Sequence, residues 1–412
     1  MSTGTVPAWT DKHRRELGLQ LKVVVVGYGS RGDVEPCAAV GRELLRRGHD
    51  VRMAGPPNLL GFIESAGLVA VAYGPDSRAE MNPGSDVVRR ITPRMNNPMS
   101  VVPEVVDHVT QVKVEKGATL TALAEGADLV VTSFNEQGVA ANVAEYHGIP
   151  VAALHPFPER VWSSDWLFSL VTKVAEDAQR RALGLPEATG PATPTLEIQA
   201  YDALCLPGLA AEWAGQAARR PFVGALTLEL STDADEEVLS WIGAGTPPIY
   251  FGFGSTPLST PADTVAMLTA ASAQLGERLL ICSGPNDLSG YPHPDHVKVV
   301  DAVSHSAVLP ACRTVIHHGG AGTTAAAPRA GTPNLILWLW LDQPMWAAAV
   351  QHLGVGFGRR FSETTTQTLV ADLRLILTPQ YGTRARQVAA QMTKSAESIT
   401  STADLLEHTA RR

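Results

Sequence analysis

Short runs of apolar, mostly β-branched residues recur along the chain and are separated by longer stretches of mixed polarity. Runs of this length, bounded by glycines and polar turn residues, are typical of buried parallel strands, and the stretches between them are long enough for helices. In the first half of the chain the predicted strands are 22–26, 51–54, 127–132, 150–154, 203–206 and 222–226. In the second half they are 248–253, 279–283, 297–303, 314–316 and 334–338. This alternation predicts an α/β protein.

The first predicted strand leads into a glycine-rich turn and then into a helix. We predict that this helix runs from about Pro36 to Arg47, because proline is favoured near the first turn of a helix. The order of strand, helix and strand marks the beginning of a doubly wound parallel-sheet domain.

The length of the chain predicts two such domains, since 412 residues exceed the usual size of one. Residues 229–240 are polar and acidic and are predicted to link a first domain, 1–228, to a second domain, 241–394. A last helix within 395–412 is expected to pack back on the first domain. Residues 1–20 are polar, and the sequence assigns them no role.

Composition narrows the classes of function. The net charge of −8 argues against a nucleic acid as partner. No run of 18 apolar residues and no signal peptide is recognisable. Four cysteines lie far apart without a CxxC pair, which indicates reduced thiols and no zinc site. We therefore expect a cytoplasmic protein, and peripheral contact with the inner face of a membrane stays open.

Residues 316–358 carry the most specific chemistry. The strand at 314–316 stops at two histidines and two glycines, and Gly322 and Thr323 then open an alanine-rich helix. A glycine turn before a helix N-terminus exposes N–H groups that bind anions, and His318 and Thr323 add side-chain donors. The strand 334–338 leads to Asp342 and Gln343 at the same edge of the sheet. A site for phosphate (the phosphate cradle) beside an acid–amide pair that can bind hydroxyl groups predicts a nucleotide sugar as the ligand. The simpler alternative is that the segment is only a tight turn with a histidine in the core.

The segment resembles the donor-binding signature of family 1 glycosyltransferases, which have the GT-B fold of two Rossmann-like doubly wound domains facing a cleft. In that signature an Asp/Glu–Gln pair follows the histidine by 24 positions, which is the spacing of His318 and Asp342. The form HHGGAGTT is similar to the actinobacterial branch, including mycobacterial glycolipid and glycopeptide-antibiotic glycosyltransferases.

The resemblance implies roles for individual residues of the second domain. Donor phosphate binding would fall to Gly254, Ser255, His318, Gly320, Gly322 and Thr323. Asp342 and Gln343 would hold the donor sugar. The nucleoside would lie near Ser283, Gly284 and Val303, and this stretch has no tryptophan to stack on the base.

Gly27, Gly29 and Gly32 match the GxGxxG pattern of dinucleotide-binding proteins, which leaves an NAD(P)-dependent oxidoreductase as an alternative. The strand 51–54 ends without the acidic residue that binds the ribose in such proteins. In the family that this chain resembles, the turn faces the acceptor, and Asp33 falls where many members carry a catalytic histidine in a Gly-His-x-x-Pro pattern. The antibiotic and mycobacterial branches often have this Asp, so the resemblance implies that Asp33 is the catalytic base. Asp33 could equally be the N-cap of the Pro36 helix.

Aromatic residues on the loops after strand 150–154 suggest an acceptor pocket for a partly apolar molecule. Gly32, Phe157 and Trp162 are the predicted acceptor contacts, while His155 is interpreted as a structural histidine. Core packing of the same loops is the alternative.

The resemblance implies an inverting hexosyltransferase that uses a UDP- or dTDP-linked hexose or 6-deoxyhexose, with no cofactor and no metal. Asp233 and Asp235 form a DxD triplet, which binds a divalent metal in another glycosyltransferase class. On a linker, two such carboxylates are more often solvated. A catalytically silent nucleotide-sugar-binding protein of the same fold is a further alternative.

Overall fold

The structure is a computed structural model that describes residues 20–81, 102–159, 161, 166–188, 193–286, 288, 290–291 and 293–412. It contains two six-stranded sheets, ordered β3-β2-β1-β4-β5-β6 and β12-β11-β10-β7-β8-β9, in which all neighbouring strands are parallel. Both sheets have the strand order of doubly wound nucleotide-binding folds. The predicted fold class is confirmed.

The strands of the first sheet are β1 (Lys22–Val26), β2 (Asp50–Gly55), β3 (Val69–Ala72), β4 (Leu129–Ser133), β5 (Val151–His155) and β6 (Leu196–Gln199). Those of the second sheet are β7 (Ile249–Gly252), β8 (Leu279–Cys282), β9 (Val297–Val300), β10 (Thr314–His317), β11 (Asn334–Trp338) and β12 (Gly356–Arg360). The central strands β4, β7 and β10 are buried along their whole length because helices cover both faces of each sheet.

The helices around the first sheet are α1 (Arg31–Arg46), α2 (Leu60–Ser65), α3 (Ser77–Met81), α4 (Val102–Leu123), α5 (Gln137–His147), α6 (Trp166–Ala182) and α7 (Pro207–Glu212). Those that follow are α8 (Asp235–Gly243), α9 (Pro261–Leu275), α10 (His305–Val308), α11 (Ala321–Arg329), α12 (Gln343–His352), α13 (Thr366–Ile376), α14 (Pro379–Ala389) and α15 (Ser395–Ala410). None of the helices within the described ranges is long and apolar enough to cross a membrane.

The start of α1 differs from the prediction. The helix begins at Arg31 with Ser30 as its N-cap residue, so Pro36 lies inside the helix and Asp33 is at its third position. Proline cannot donate to the carbonyl four residues earlier, which belongs to Gly32. Gly32 is exposed, so water can satisfy that carbonyl in place of the missing N–H.

The predicted strands 203–206 and 222–226 are also wrong. The sixth strand is β6, residues 203–205 form a 3₁₀ turn, and Phe222 makes a single parallel bridge to Gln199. In the range predicted as linker, residues 229–234 are irregular, and α8 begins at Asp235.

Two contacts tie the parts of the chain together. The last helix, α15, places Ala403 and Leu406 in the core of the first sheet. On the other side of the cleft, the guanidinium of Arg329 in α11 donates to the carbonyl of Ala225 at 2.9 Å and to Oγ of Ser398 at 3.1 Å. The helix that carries the predicted phosphate cradle is thereby anchored to the segment that connects the two sheets.

Candidate active site

The carboxyl ends of both sheets carry the predicted site residues. Asp33 lies on α1 directly after β1, and His318 lies directly after β10. Ligands of doubly wound folds bind at this edge, where the strand order reverses. In each sheet that reversal lies next to the turn in question, between β1 and β4 in the first and between β7 and β10 in the second.

The carboxylate of Asp33 is held by three hydrogen bonds. Oδ2 accepts from the backbone N–H of Ser30 at 2.8 Å and from its Oγ at 2.9 Å, and Oδ1 accepts from Nδ2 of Asn135 at 3.1 Å. Gly29 makes room for this arrangement, because a Cβ at this residue would lie 2.5 Å from Oδ2 and its φ of 124° favours glycine. Burial raises the pKa of Asp33 above its ordinary value, and the nearby Glu136 raises it further, while these hydrogen bonds lower it.

This arrangement bears on the dinucleotide alternative. In dinucleotide-binding folds the pyrophosphate occupies the helix N-terminus that follows the glycine turn. Here the carboxylate of Asp33 already accepts the N–H of the N-cap residue Ser30, as in a capping box. A second anion at this position would meet like charge, so the turn is better suited to presenting a carboxylate than to binding a phosphate.

The predicted phosphate cradle is formed around the ring of His318. A Cβ on Gly254 would lie 3.1 Å from Cε1 of this ring, and a Cβ on Gly320 would lie 2.6 Å from Nε2. Both glycines therefore allow the imidazole to sit between the turns after β7 and β10. Nδ1 of His318 is buried and has no hydrogen-bond partner among the described residues. Burial lowers the pKa of His318 to about 4, so the unliganded ring is neutral at pH 7.

The helix α11 begins immediately beyond this ring. Gly320 is its N-cap residue, and Gly322 and Thr323 lie in the first turn, exposed and half-buried respectively. A glycine at the N-cap supplies no capping side chain, and the first N–H groups of a helix have no partner within it. These N–H groups, the helix dipole and the hydroxyl of Thr323 are of the kind that can bind an anion.

His317 has a role that the sequence did not reveal. Its Nδ1 accepts the backbone N–H of Gly319 at 3.2 Å, so Nε2 carries the proton and donates to Oδ1 of Asn334 at 2.9 Å. The side chain is fully buried and fixes the turn that presents its neighbour His318. Of the two adjacent histidines, one is structural and the other faces the cradle.

The residues predicted near the nucleoside follow β8 and β9 at the same edge of the sheet. Ser283 is buried, and its Oγ contacts Oδ1 of Asp301 at 3.3 Å. Gly284 is exposed and has a φ of 58°, and a Cβ there would lie 2.4 Å from the carbonyl oxygen of Gly254. Ser255 is half-buried beside this contact, and Val303 is buried. The turns after β7 and β8 are therefore in direct contact.

Asp342 and Gln343 stand at the start of α12. Oδ2 of Asp342 accepts from Nε1 of Trp346 at 2.8 Å, and burial raises the pKa of this carboxyl to about 6. The charge of Asp33 on the first domain contributes to that rise. Oε1 of Gln343 accepts the N–H groups of Leu339 and Trp340 at 2.7 and 3.2 Å. The amide of Gln343 thus shapes the loop and has only its NH₂ group left for a ligand.

The residues predicted to contact the acceptor differ in their exposure. Gly32 is exposed at the start of α1, and Phe157 is buried, with its ring 5.2 Å from that of Phe134. Trp162 lies outside the described residues. His155 is buried, its Nε2 lies 3.2 Å from Oε1 of Gln137, and burial lowers its pKa to about 4.

Asp235 of the DxD triplet is engaged in local structure. Its carboxylate accepts the N–H and the hydroxyl of Thr232, each at 2.8 Å, and the N–H of Ser304 at 2.8 Å. Across the part of the chain that the structure describes, no group of three His, Cys, Asp or Glu side chains is placed to hold a metal ion.

Comparison with known sequences identifies the family. The model of the glycosyltransferase family 28 N-terminal domain matches residues 23–161, and that of the erythromycin biosynthesis protein CIII-like C-terminal domain matches residues 270–407. An uncharacterized glycosyltransferase of Mycobacterium tuberculosis is 57% identical over 95% of this chain and 100% of its own length. The chain belongs to the GT-B glycosyltransferases.

The more distant relatives of this glycosyltransferase include a protein whose name states its acceptor. The vancomycin aglycone glucosyltransferase of Amycolatopsis orientalis is 30% identical, with 90% of this chain and 93% of that protein covered. Solved structures agree on the fold. The glycotransferase of kitacinnamycin has a TM-score of 0.71 at 20% identity and covers 95% of this chain and 99% of its own. VinC, solved in complex with dTDP, has a TM-score of 0.64 at 20% identity and covers 95% of this chain and 100% of its own.

Proposed function

We propose that this glycosyltransferase moves a hexose or 6-deoxyhexose from a UDP- or dTDP-linked donor to a hydroxyl group of a partly apolar acceptor, with inversion at the anomeric carbon. The observation that carries the proposal is that the carboxyl ends of the two sheets carry two chemically different groups. Asp33 offers a hydrogen-bonded carboxylate on the first domain. The second domain offers an uncapped helix N-terminus beside His318.

In the proposed reaction the acceptor hydroxyl gives its proton to Asp33 as its oxygen bonds to the anomeric carbon. The bond from that carbon to the diphosphate oxygen breaks, and its electron pair leaves with the nucleoside diphosphate. Attack opposite the leaving group inverts the anomeric configuration. We assign Oδ1 as the proton acceptor, because it receives one hydrogen bond whereas Oδ2 receives two.

The leaving diphosphate gains negative charge as the bond breaks. The N–H groups at the start of α11, with His318, Thr323 and Ser255, would stabilise it from fixed positions. Removing one donor from a preorganised anion site typically costs on the order of 10²–10³ in rate. Because these positive ends of dipoles come from the protein, we propose that the reaction needs no divalent metal and no cofactor.

The donor sugar would lie between the two carboxylates. Asp342 retains Oδ1 for the sugar hydroxyls, since Oδ2 accepts from Trp346, and the NH₂ group of Gln343 is available beside it. Domain closure around donor and acceptor would exclude water, which strengthens these polar interactions.

The acceptor class follows from the chemistry of the relatives and from the aromatic residues that the sequence places on the loops after β5. The vancomycin aglycone glucosyltransferase and a sterol 3-beta-glucosyltransferase of Arabidopsis thaliana, which is 27% identical over 90% of this chain, act by name on bulky and partly apolar acceptors. Phe157 and Trp162 are proposed to contact such an acceptor. We place the enzyme in glycolipid or envelope-related synthesis in the cytoplasm, with peripheral contact at the inner membrane face.

The test combines three donors, UDP-glucose, dTDP-glucose and dTDP-rhamnose, with two acceptors, cholesterol in detergent micelles and vancomycin aglycone. Release of nucleoside diphosphate and the mass of the product report transfer, and NMR of the product reports the anomeric configuration. We expect a β-glucoside from UDP-α-glucose and unchanged turnover after EDTA treatment. Loss of turnover that Mg²⁺ restores would contradict metal independence, and an α-glucoside would contradict inversion.

Thermal shift separates the alternative functions. A tight ligand at about 100 times its Kd adds about 2.7 kcal/mol to the free energy of unfolding. We expect this stabilisation with UDP or dTDP and none with NADPH, and the reverse would favour an oxidoreductase. A protein that binds dTDP but neither hydrolyses nor transfers any of the three donors would be the silent binding protein.

A further inference from the structure

The first domain contains a buried ion pair close in the chain to the residues that hold Asp33. Nζ of Lys116 on α4 is 3.0 Å from Oε1 of Glu136, and each residue is only 4% exposed. The hydroxyl of Tyr73 donates to Oε2 of the same carboxylate at 2.7 Å. Nζ of Lys116 also lies 3.0 Å from the centroid of the Tyr28 ring, a cation–π contact. Four polar or aromatic groups therefore converge on one point in an otherwise apolar core.

Such a pair is a poor way to stabilise a fold. Removing two charges from water costs much of what their attraction returns, and apolar residues of the same volume often serve at least as well. The surroundings of Lys116 are also tightly fitted, since a Cβ on Gly74 would lie 2.5 Å from its Cε. Because the desolvation of this closely packed ion pair is costly, we expect it to have a role other than stabilising the fold.

Each partner of the pair is joined to one of the two segments that hold Asp33. Tyr28, which lies under the ammonium group, directly precedes Gly29 and Ser30, and Ser30 donates twice to Oδ2 of Asp33. Glu136 directly follows Asn135, which donates to Oδ1. The pair thus connects the two backbone segments that supply all three of these hydrogen bonds.

We propose that Lys116 and Glu136 form a positioning device for Asp33, in which the ion pair fixes both donor segments and balances the charge next to the proton-accepting carboxylate. This inference rests on the proposed function of Asp33 as the base. Neither Lys116 nor Glu136 touches the substrate, and their effect passes through Tyr28 and Asn135.

The charges near Asp33 determine in which direction its pKa should move in each variant. The titratable groups coupled to Asp33 by charge are Glu136 after β4, Asp342 at the start of α12 in the other domain, and the thiol of Cys37 on α1. Loss of Lys116 leaves Glu136 uncompensated and increases the proton affinity of Asp33. Loss of the Glu136 charge removes a negative charge that raises the proton affinity of Asp33, and so decreases that affinity.

The experiment measures the titration of Asp33 without a substrate. Protein labelled with ¹³C at the aspartate side-chain carboxyl is titrated by NMR, and the Asp33 resonance is assigned by its absence from Asp33→Asn. We expect Lys116→Met to raise the titration midpoint and Glu136→Gln to lower it. Midpoints that stay unchanged, or that move in the same direction, would overturn the proposal, because damage to structure alone does not reverse its sign between the two variants.

Kinetics and a third variant complete the test. In each single variant we expect kcat to fall by about tenfold or more while the Kd of dTDP changes less than twofold, since the nucleotide site is on the other domain. If a single variant fails to fold, Lys116→Met/Glu136→Gln removes both charges together. That variant should keep a wild-type midpoint and still lose about tenfold in kcat, and an unchanged kcat would overturn the proposal. An Asp33→Asn enzyme with wild-type turnover would instead remove the proposed function, whatever the NMR midpoints.

Discussion

Nδ2 of Asn135 lies 3.1 Å from Oδ1 of Asp33 and joins two residues that are 102 positions apart in the chain. The contact brings the end of β4 to the start of α1 and leaves the carboxylate of Asp33 oriented from both sides, by Asn135 and by Ser30. A base must be oriented before its proton affinity matters, because proton transfer requires hydrogen-bond geometry.

We predict that Asn135→Leu lowers kcat by about 10- to 100-fold with little change in the Kd of dTDP, because the carboxylate loses one of its fixed donors. Asn135→Asp goes further by adding a like charge, which raises the pKa of Asp33. The acid limb of the kcat profile should then move to higher pH. A profile that keeps its acid limb in Asn135→Asp would show that Asp33 is not the titrating base.

The cradle around His318 yields a binding prediction. We expect His318→Ala to weaken dTDP binding by about 10- to 150-fold, the effect of a hydrogen bond to a charged group worth about 1.5–3 kcal/mol. His352→Ala is the matched control, because His352 is exposed at the end of α12. Isothermal titration with dTDP measures both. Equal affinities in the two variants would place the diphosphate elsewhere.

Asp342 makes stability depend on pH. Its folded pKa of about 6 exceeds the ordinary value of 3.8, so ionisation is more costly in the folded than in the unfolded chain. The free energy of unfolding therefore falls as pH rises from about 4 to 6. Asp342→Asn removes this cost and should stabilise the protein at pH 7.5 by up to about 3 kcal/mol. Urea unfolding at pH 7.5 and pH 4 checks the sign, since the gain should vanish at the lower pH.

Backbone strain lies beside this carboxyl. Leu341 has a φ of 55°, the one positive value for a non-glycine residue among those described, and its side chain is 50% exposed. The left-handed region costs such a residue about 1–2 kcal/mol. Leu341→Gly should therefore leave the melting temperature unchanged or raise it, whereas Leu239→Gly within α8 should lower it, because Leu239 has helical neighbours on both sides. Equal losses in the two variants would argue against strain at Leu341.

Much of the fold is readable from the sequence because it is encoded locally. The runs in β1 and β10 are rich in β-branched residues, and β11 has the apolar run Leu335–Leu337. Short apolar runs of this kind, bounded by turn residues, are typical of buried strands. The spacing of His318 and Asp342 likewise reflects one strand–turn–helix unit followed by another. Local pattern and final structure agree at these elements.

Contacts between segments that are distant in the chain cannot be predicted from the sequence pattern. Asn135 follows an ordinary buried strand, and nothing beside it in sequence indicates that it reaches Asp33. The pairing of Lys116 with Glu136 also depends on how α4 packs against the sheet. The start of α1 was missed for a different reason, because the side chain of Asp33 bonds back to Ser30 and lets the helix begin before Pro36.

The most direct test of the account is the turnover and donor affinity of Asp33→Asn. Asparagine keeps the size of the side chain but cannot accept the acceptor's proton at neutral pH. Asp233→Asn is the control, because Asp233 is an exposed carboxylate of the DxD triplet. We predict that Asp33→Asn lowers kcat by roughly 10²–10⁴-fold while the Kd of dTDP stays within a few-fold, and that Asp233→Asn changes neither. A wild-type kcat in Asp33→Asn would contradict the account and transfer the role of base to another group, with His155 the next to test.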